Sequence, residues 1–445
     1  MSQLTAPGPP ARAGGINHLR AIRADFRTFS HATHQAHGDI VAYRVLGQSV
    51  YQFATPELAH EVLVGRARSL HKPDNHKRAF GRVIGNNLFT SDGADWIARR
   101  RLLSPVFLPQ VIDRYRATVV RQASHVFDAA AEGEFDITRA ASKIALLSVA
   151  EALFGAAIND VVDDILEVTG RLQGAVTRQI LSPALVPLWI PTRDNRTVRS
   201  ALRFFHDLMT PLIAERRRAP QGHDDLLAAL LRATDGEGGT RLSDKEAIDE
   251  ALTMLLAGSD TTAAALSWSS YLLATHPEIQ QQLATQIAAP EHASGNGAPA
   301  PVPELAGQVF EETMRIYPPA VSIARQAVEP VEIGGVAIPA GALVFVSVYT
   351  IHHDERWFPD PERFDPERFA TPPAHEIPDH AYLPFGIGPR ACIGRRFALM
   401  EGAIVLTELL RRFSLHLTSP TQRPELETTL SLHPRGGLKL RVARR

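Results

Sequence analysis

The chain has 445 residues, of which 44% are hydrophobic and 21% are charged, values that are typical of a folded globular protein and exclude a disordered chain. Its 47 Lys and Arg residues almost balance 48 Asp and Glu residues, so the overall charge favours neither nucleic acid nor an anionic membrane as a partner. The single cysteine excludes an internal disulfide framework. Because the sequence shows no apolar signal segment and no run long enough to span a bilayer, we expect a cytoplasmic protein without a membrane anchor.

The first half of the chain predicts a small strand region followed by many helices. Residues 1–15 are rich in Pro and Gly and are expected to be flexible. An amphipathic segment runs from Ile16 to Phe29, and β-branched and aromatic residues interrupted at Gly47 then indicate a hairpin. From Pro56 to about Ile287 apolar residues recur with helical spacing. The sequence therefore predicts a mostly α protein with small β-sheets, of the α+β class.

The longest predicted helix runs from Ser243 to about Thr275. Ser243 and Glu246 have the spacing of a capping box at its start, and His276 followed by Pro277 ends it. At 1.5 Å per residue this helix would be about 45 to 50 Å long. We expect a helix of this length to cross the molecule and to carry much of the core.

The last third of the chain contains one low-complexity stretch and a second strand region. Residues 288–303 are rich in Ala, Pro and Gly and are predicted to form a surface loop. Further on, an alternating segment that turns at Gly334 and Gly335 predicts a hairpin and one more strand. Since no internal repeat is evident, residues 16–445 are expected to form a single domain.

The only cysteine, Cys392, lies in the segment "FGIGPRACIG". Gly386, Gly388 and Gly394 allow backbone conformations that larger residues avoid, and an apolar helix is predicted to start near Gly394. The free N–H groups at the start of that helix would point at the sulfur and stabilise a thiolate. The pattern leaves three interpretations open: an inert buried thiol, a thiolate beneath a flat cofactor, or a catalytic nucleophile that would need a base such as His.

This segment resembles the haem-binding signature of the cytochrome P-450 monooxygenases. The matching residues are Phe385, Gly386, Gly388, Arg390, Cys392 and Gly394. The resemblance implies that Cys392 is the axial ligand of the iron in haem b, with Phe385, Gly386 and Gly394 beside the haem. It also implies the cytochrome P-450 fold, in which the haem lies between the long central helix and the cysteine loop with the C-terminal helix.

A second match lies upstream of the cysteine. In "EETMR", Glu312 and Arg315 are three residues apart on one helical face and are similar to the ExxR motif of the same family. The resemblance adds an arginine from the later of two consecutive "DPERF" segments, Arg368 rather than Arg363. It implies that these residues buttress the cysteine loop and take no part in the chemistry.

A third match, "AGSDTT", lies within the long helix and resembles the oxygen-activation segment of the family. It implies that Thr261 hydrogen-bonds the oxygen bound at the iron, that Asp260 connects it to a supply of protons, and that Ala257 and Gly258 leave room for O2 and substrate. An acid followed by two threonines is poor helix-forming material. The alternative is an ordinary helix in which hydroxyl groups bond back to carbonyls.

The resemblance also implies contacts at the edge of the haem and around the substrate. Trp96 and Arg100, four apart on one helix, match the family pair that contacts the haem propionates. Arg325 and Arg390 are expected to bind the propionates as well. The expected substrate pocket is formed by Val83, Ile84, Ala257, Gly258, Ala320 and Val321.

These matches predict a monooxygenase that inserts one atom of O2 into a hydrophobic small molecule such as a fatty acid, terpenoid, steroid or polyketide, by hydroxylation or epoxidation. Electrons would come from a separate ferredoxin with an NAD(P)H-dependent reductase, and the protein is expected to be a monomer that binds no nucleic acid. A peroxide-driven hydroxylase and a non-catalytic haem-thiolate binding protein are the alternatives. The Asp260 and Thr261 pair argues against both, because neither needs to protonate bound O2.

Arginines also suggest where the ferredoxin would bind. A basic patch is predicted on the cysteine side of the haem, formed by Arg99, Arg101, Arg395, Arg396, Arg411 and Arg412. Such a patch would attract an acidic ferredoxin. The alternative, a solvated charged face without a partner, remains open.

Overall fold

The computed structural model describes residues 6–155, 158–182, 185–218, 225–232, 242–289, 301–372 and 376–445. Residues 1–5 of the predicted flexible terminus and most of the predicted loop 288–303 lie outside these ranges. The helices are α1 (Ile16–His37), α2 (Pro56–His60), α3 (Asp74–Ile84), α4 (Gly93–Leu103), α5 (Pro109–Ile112), α6 (Arg116–Asp128), α7 (Ile137–Phe154), α8 (Val162–Ile180), α9 (Arg193–Arg218), α10 (Leu226–Arg232), α11 (Asp244–Thr275), α12 (Pro277–Ala288), α13 (Glu304–Ile316), α14 (Val348–His352) and α15 (Arg395–Arg412).

The strands are short and form small sheets, as the sequence predicts. They are β1 (Ile40–Val45), β2 (Gln48–Phe53), β3 (Leu70–His71), β4 (Gly133–Asp136), β5 (Ile323–Ala327), β6 (Val331–Ile333), β7 (Val336–Ile338), β8 (Leu343–Val346), β9 (Phe413–Leu417), β10 (Leu426–Thr428), β11 (Leu432–Pro434) and β12 (Lys439–Arg444). The largest sheet has the order β1-β2-β8-β5-β3, the three-stranded sheet has the order β4-β12-β9, and β6-β7 and β10-β11 are hairpins.

The five-stranded sheet begins with the predicted hairpin. β1 pairs antiparallel with β2 around a turn in which Gly47 has φ 83°, a conformation that glycine adopts without a steric penalty. Part of the predicted flexible terminus contacts this sheet, since the N–H of Ala42 donates to the carbonyl of Pro7 at 2.8 Å. At the other edge, β3 pairs with β5. This pairing brings residues near position 72 beside residues near position 325.

Helix α11 is the predicted long helix, with Ser243 as its N-cap and a complete capping box between Ser243 and Glu246. It packs against α7, α13 and α15, and most of its second half is buried. Trp268 ties it to β11, because the indole N–H donates to the carbonyl of Leu432 at 2.9 Å and the ring stacks on Tyr317 at 4.2 Å. The helix is therefore held in place on several sides.

The strand region that turns at Gly334 and Gly335 differs from the prediction at one point. The hairpin β6-β7 and the following strand β8 form as predicted, but the chain after Val346 leaves the sheet and forms α14. Helical hydrogen bonds such as His353 N–H to the carbonyl of Tyr349 replace the expected strand pairing. Across the described ranges, no helix combines the length and the apolar character that crossing a bilayer requires.

Candidate active site

The cysteine loop is a tight turn in front of α15. The N–H of Cys392 donates to the carbonyl of Phe385 at 2.9 Å, which closes the loop. Gly388 has φ 75°, and a Cβ atom there would lie 2.5 Å from the carbonyl oxygen of Leu63, so this position requires glycine. Gly394 is the N-cap of α15. Glycine is thus needed at position 388 to close the loop that holds the cysteine at the start of the helix.

The predicted backbone donors reach the sulfur and favour the thiolate, whereas burial opposes it. Burial raises the pKa of the Cys392 thiol, although the side chain keeps accessible surface. The N–H groups of Gly394 and Arg395 and the charge of Arg100 act in the opposite direction and offset only part of this rise. The sequence predicted that these N–H groups stabilise a thiolate, and they act in that direction. In the structure a bound metal is what would deprotonate such a thiol.

Glu312 and Arg315 form a fully buried ion pair on α13, with Nε and Oε2 2.7 Å apart. Arg315 also donates to the carbonyl of His352 at 2.9 Å. The buried Arg368 places its Nε 3.4 Å from Oε1 of Glu312, whereas the side chain of Arg363 is 69% exposed. The structure therefore brings Glu312, Arg315 and Arg368 together and leaves the Arg363 side chain outside the cluster.

Sequence reasoning missed His352, which connects this cluster to the cysteine loop. Its Nδ1 donates to the carbonyl of Arg315 at 3.1 Å, and its Nε2 accepts from the N–H of Leu383 at 2.8 Å. Burial lowers the pKa of His352 well below its ordinary value, so the ring is neutral. Leu383 stands two residues before Phe385 of the loop. A histidine in "IHHDE" carries no signal of this role in the sequence.

A group of cations lies beside the cysteine loop. Arg100 donates to the carbonyl of Ala391, next to the cysteine, at 3.1 Å. Burial, followed by the charges of Arg325 and Arg390, lowers the pKa of Lys72 well below its ordinary value. Burial and the charge of Arg390 lower the pKa of Arg325 to about 10. Repulsion among crowded cations of this kind is relieved by an anionic partner.

One carboxylate stands near these cations. Asp92 pairs with Arg390, whose guanidinium also donates to the carbonyl of Ser91 at 2.8 Å and lies 4.7 Å from the ring centre of Trp96. Sequence reasoning found Trp96, Arg100, Arg325 and Arg390 but missed Lys72. Only the pairing of β3 with β5 places Lys72 beside Arg325, and no local sequence pattern indicates this proximity.

A cavity of about 1010 Å³ lies along the middle of α11. The predicted pocket residues Val83, Ile84, Ala257, Ala320 and Val321 line it, and so do Lys72 and Arg325. Gly258 is not among the lining residues. A Cβ atom at Gly258 would lie 3.2 Å from Cγ2 of Val149, so this glycine serves the packing of α11 on α7 and not the pocket.

The segment with Asp260 and Thr261 faces this cavity. The hydroxyl of Thr261 donates back to the carbonyl of Ala257 at 2.9 Å, as in the alternative interpretation, yet both Thr261 and Asp260 line the cavity. Asp260 accepts hydrogen bonds from Ser431 at 2.7 Å and from His433 at 3.0 Å. Burial opposes its ionisation, but these bonds outweigh burial and lower the pKa of Asp260.

Comparison with known proteins agrees with this arrangement. A sequence profile of the cytochrome P-450 family matches residues 7–440. The chain belongs to the cytochrome P-450 family. It is 33% identical to cyclooctat-9-en-7-ol 5-monooxygenase of Streptomyces melanosporofaciens, over 89% of this chain and 85% of that protein. It is 30% identical to pentalenene oxygenase of Streptomyces avermitilis, over 92% and 91% respectively, and 30% identical to cytochrome P-450 4V2 of Homo sapiens, over 86% and 78%.

This protein is therefore a haem-thiolate monooxygenase that uses O2. Its residues fit the cofactor of this cytochrome P-450. A haem carries two carboxylates at one edge and an iron that takes a thiolate ligand. The described residues supply one cysteine in a glycine-framed loop and, next to it, a crowd of buried cations with a single neighbouring carboxylate. A Cβ atom at Gly386 would lie 3.3 Å from Ile323, a cavity residue, so the loop and the cavity adjoin.

The predicted basic patch on this cytochrome P-450 needs correction. Arg99 is buried and bonds Asp95, Glu246 and Glu250, so it belongs to the interior. Because consecutive helical residues point about 100° apart, Arg99 faces α11 while its neighbours do not. Arg411 and Arg412 pair with Glu408, and Arg412 pairs also with Asp128. The arginines of the patch that remain exposed are Arg101, Arg395 and Arg396.

Proposed function

We propose that this cytochrome P-450 inserts one oxygen atom into a cyclic terpenoid, by hydroxylation or epoxidation. The observation that carries the proposal is the apolar lining of the cavity. Its volume of about 1010 Å³ has to hold the haem as well as the substrate, since Lys72 and Arg325 line it, and apolar side chains of α3, α8 and α11 contribute to its wall. Relatives that cover about nine-tenths of the chain are named for reactions of cyclooctat-9-en-7-ol and pentalenene.

In this proposal the cofactor is haem b, and Cys392 would bind its iron through the sulfur. Trp96 and the cations Arg100, Arg325, Arg390 and Lys72 hold the propionates by charge and hydrogen bonds. Glu312, Arg315 and Arg368 hold the shape of the cysteine loop. Phe385, Gly386 and Gly394 lie beside the haem.

When bound, the haem supplies the activation of O2 and the transfer of one oxygen atom to the substrate. The chain supplies binding, orientation and protons. Val83, Ile84 and Val321 provide apolar contacts that hold the substrate and exclude water. The small side chain of Ala257 leaves room for the substrate beside α11. Thr261 presents its hydroxyl to the cavity, and the adjacent carboxylate of Asp260 exchanges protons with it.

Electrons are proposed to come from a separate acidic ferredoxin with an NAD(P)H-dependent reductase. Arg100 on α4 contacts the cysteine loop, and the exposed Arg101 follows it, while the exposed Arg395 and Arg396 begin α15 directly after the loop. A local positive surface on a chain of net charge −1 would steer an acidic partner to this side.

The experiment is a spin-state titration of the ferric holoprotein. The ligands are cyclooctat-9-en-7-ol, pentalenene, lauric acid and progesterone. We expect the two terpenoids to give the largest shift to high spin and to yield a monooxygenated product with NADH, ferredoxin reductase and ferredoxin. A parallel reaction with hydrogen peroxide separates the peroxide-driven alternative. A shift given only by lauric acid or progesterone would refute the terpenoid assignment. Product formed with peroxide but not with NADH, reductase and ferredoxin would refute the electron-transfer assignment.

A further inference from the structure

The side chain of Asp260 is held by residues from two other elements. Ser431, which directly precedes β11, donates to Oδ2 at 2.7 Å. His433 in β11 donates from Nε2 to Oδ1 at 3.0 Å, and Gln173 of α8 also bonds the carboxylate. Both carboxylate oxygens are therefore occupied, and 15% of the Asp260 side chain is exposed. Any proton that reaches this acid from bulk water has to pass one of these partners or the cavity.

His433 differs from the other two partners in its position. Ser431 and Gln173 line the cavity, whereas His433 is not among the lining residues. Its side chain is nevertheless 18% exposed, so water reaches part of the imidazole. Within the described residues Nδ1 has no hydrogen-bond partner, and it is not one of the buried atoms that lack a partner. The imidazole thus contacts Asp260 with one nitrogen and solvent with the other.

The charged groups around His433 keep the solvent side polar. In the β10-β11 hairpin Glu427 is directly opposite His433, so the two side chains are on the same face. Arg435, beyond the end of β11, approaches Glu427 to 3.9 Å. Asp260 faces the ring from α11. An imidazole placed between a buried carboxylate and a hydrated carboxylate can accept a proton at one nitrogen and release one at the other.

We propose that His433 is the residue through which protons pass from solvent to Asp260. The inference rests on the proposed role of Asp260 and Thr261 in the monooxygenase reaction. Each turnover consumes O2, the substrate, two electrons from the ferredoxin and two protons, and it releases the oxygenated product and one water. Each proton binds Nδ1 of His433, the Nε2 proton moves to Asp260, and Asp260 passes its proton to the hydroxyl of Thr261, which gives up its own proton to the oxygen atom that leaves as water. Rotation of the ring restores the starting tautomer.

The test compares three variants of the holoprotein. His433→Gln keeps an N–H group that can bond Asp260 but cannot relay a proton, and His433→Phe removes both functions. His416→Gln, the matched control, makes the same substitution at an exposed histidine of β9 that does not line the cavity. The probe is whichever ligand gives the largest spin-state shift among cyclooctat-9-en-7-ol, pentalenene, lauric acid and progesterone. Readouts that do not depend on turnover are the thermal midpoint and the Kd from the spin-state titration.

We expect His433→Gln to match the wild type in thermal midpoint and, within twofold, in Kd. With NADH and ferredoxin, the rate of product formation should fall about tenfold. This loss is smaller than acid–base catalysis can contribute, because water partly takes over the proton transfer from the ring. Its solvent deuterium isotope effect should rise and hydrogen peroxide should accumulate. Hydrogen peroxide as the oxidant supplies oxygen that is already reduced and protonated, so the peroxide-driven rate of His433→Gln should equal that of the wild type. His416→Gln should keep the activity of the wild type with both oxidants.

Two results would overturn the proposal. One is a His433→Gln variant with the product formation and isotope effect of the wild type. The other is an equal loss with NADH and with peroxide, which indicates that His433 only maintains the shape of the site. Should His433→Phe fail to fold, His433→Gln still decides between these outcomes. Failure of the proposed monooxygenase function is recognised separately, since the wild type would then give neither a spin-state shift nor product.

Discussion

The burial of Arg99 leads to a quantitative prediction about stability. Its guanidinium lies 2.9 Å from Oε1 of Glu250, whose side chain is only 1% exposed, and the N–H of Leu88 is the other donor to that carboxylate. The contacts of Arg99 with Asp95 and Glu246 involve side chains that are 47% and 38% exposed, so they contribute little. Arg99→Met therefore leaves a buried carboxylate without its cation. The expected loss in the free energy of unfolding is about 3–5 kcal/mol.

The loss should depend on pH. Burial raises the pKa of Glu250 above its ordinary value of 4.5, and Arg99 opposes that rise. In Arg99→Met the folded-state pKa is higher still, so the folded protein holds the proton more tightly than the unfolded chain does. The destabilisation is then absent below the unfolded pKa and grows as pH rises towards the folded pKa. The variant should lose less stability at pH 5 than at pH 8.

Urea unfolding followed by far-ultraviolet circular dichroism measures both effects. Arg101→Met, on the same helix but exposed, is the matched control and should change stability by no more than about 0.5 kcal/mol. Adding Glu250→Gln to Arg99→Met should recover most of the loss, because the unpaired charge is removed. Equal urea midpoints for Arg99→Met and Arg101→Met at pH 8 would refute the reasoning.

Other predictions test the site directly. Cys392→His should abolish the strongly red-shifted Soret band of the reduced carbon monoxide complex, and a variant that keeps this band would contradict the ligand assignment. Thr261→Ala should bind substrate normally but lower the amount of product per NADH about tenfold, with the electrons recovered as hydrogen peroxide. The control is Thr262→Ala: because Thr262 is buried, this variant should change stability and leave the amount of product per NADH unchanged. Arg395→Glu/Arg396→Glu should slow the first electron transfer about tenfold at low salt and reduce its salt dependence; identical salt curves for the variant and the wild type would exclude this surface as the docking site.

Interactions between residues close in sequence were predicted correctly. The turn before α15 depends on glycines within a few residues of Cys392, and the capping box of α11 depends on Ser243 and Glu246. Glu312 and Arg315 form an ion pair because they are about one helical turn apart on the same helix. Such features need only backbone geometry, which local sequence encodes.

Features that depend on helix orientation were predicted less well. Gly258 directly follows Ala257 in the sequence. Only the packing of α7 against α11 decides that Gly258 faces Val149 while Ala257 faces the cavity. In the same way Arg99 and Arg100 are adjacent in sequence, yet one points at α11 and the other at the cysteine loop. The periodicity of a helix fixes the angle between side chains and leaves open which neighbour each one meets.

By itself, then, the sequence determined the fold class, the cysteine loop and the capping of the long helix. The tertiary structure alone decided the partners that lie far apart in the chain. Lys72 reaches Arg325 through the pairing of β3 with β5, and His433 reaches Asp260 because β11 packs against α11. The physical reason is that a buried charge is stabilised by whichever groups the packed chain brings within a few ångströms, and that proximity arises only when distant elements come together.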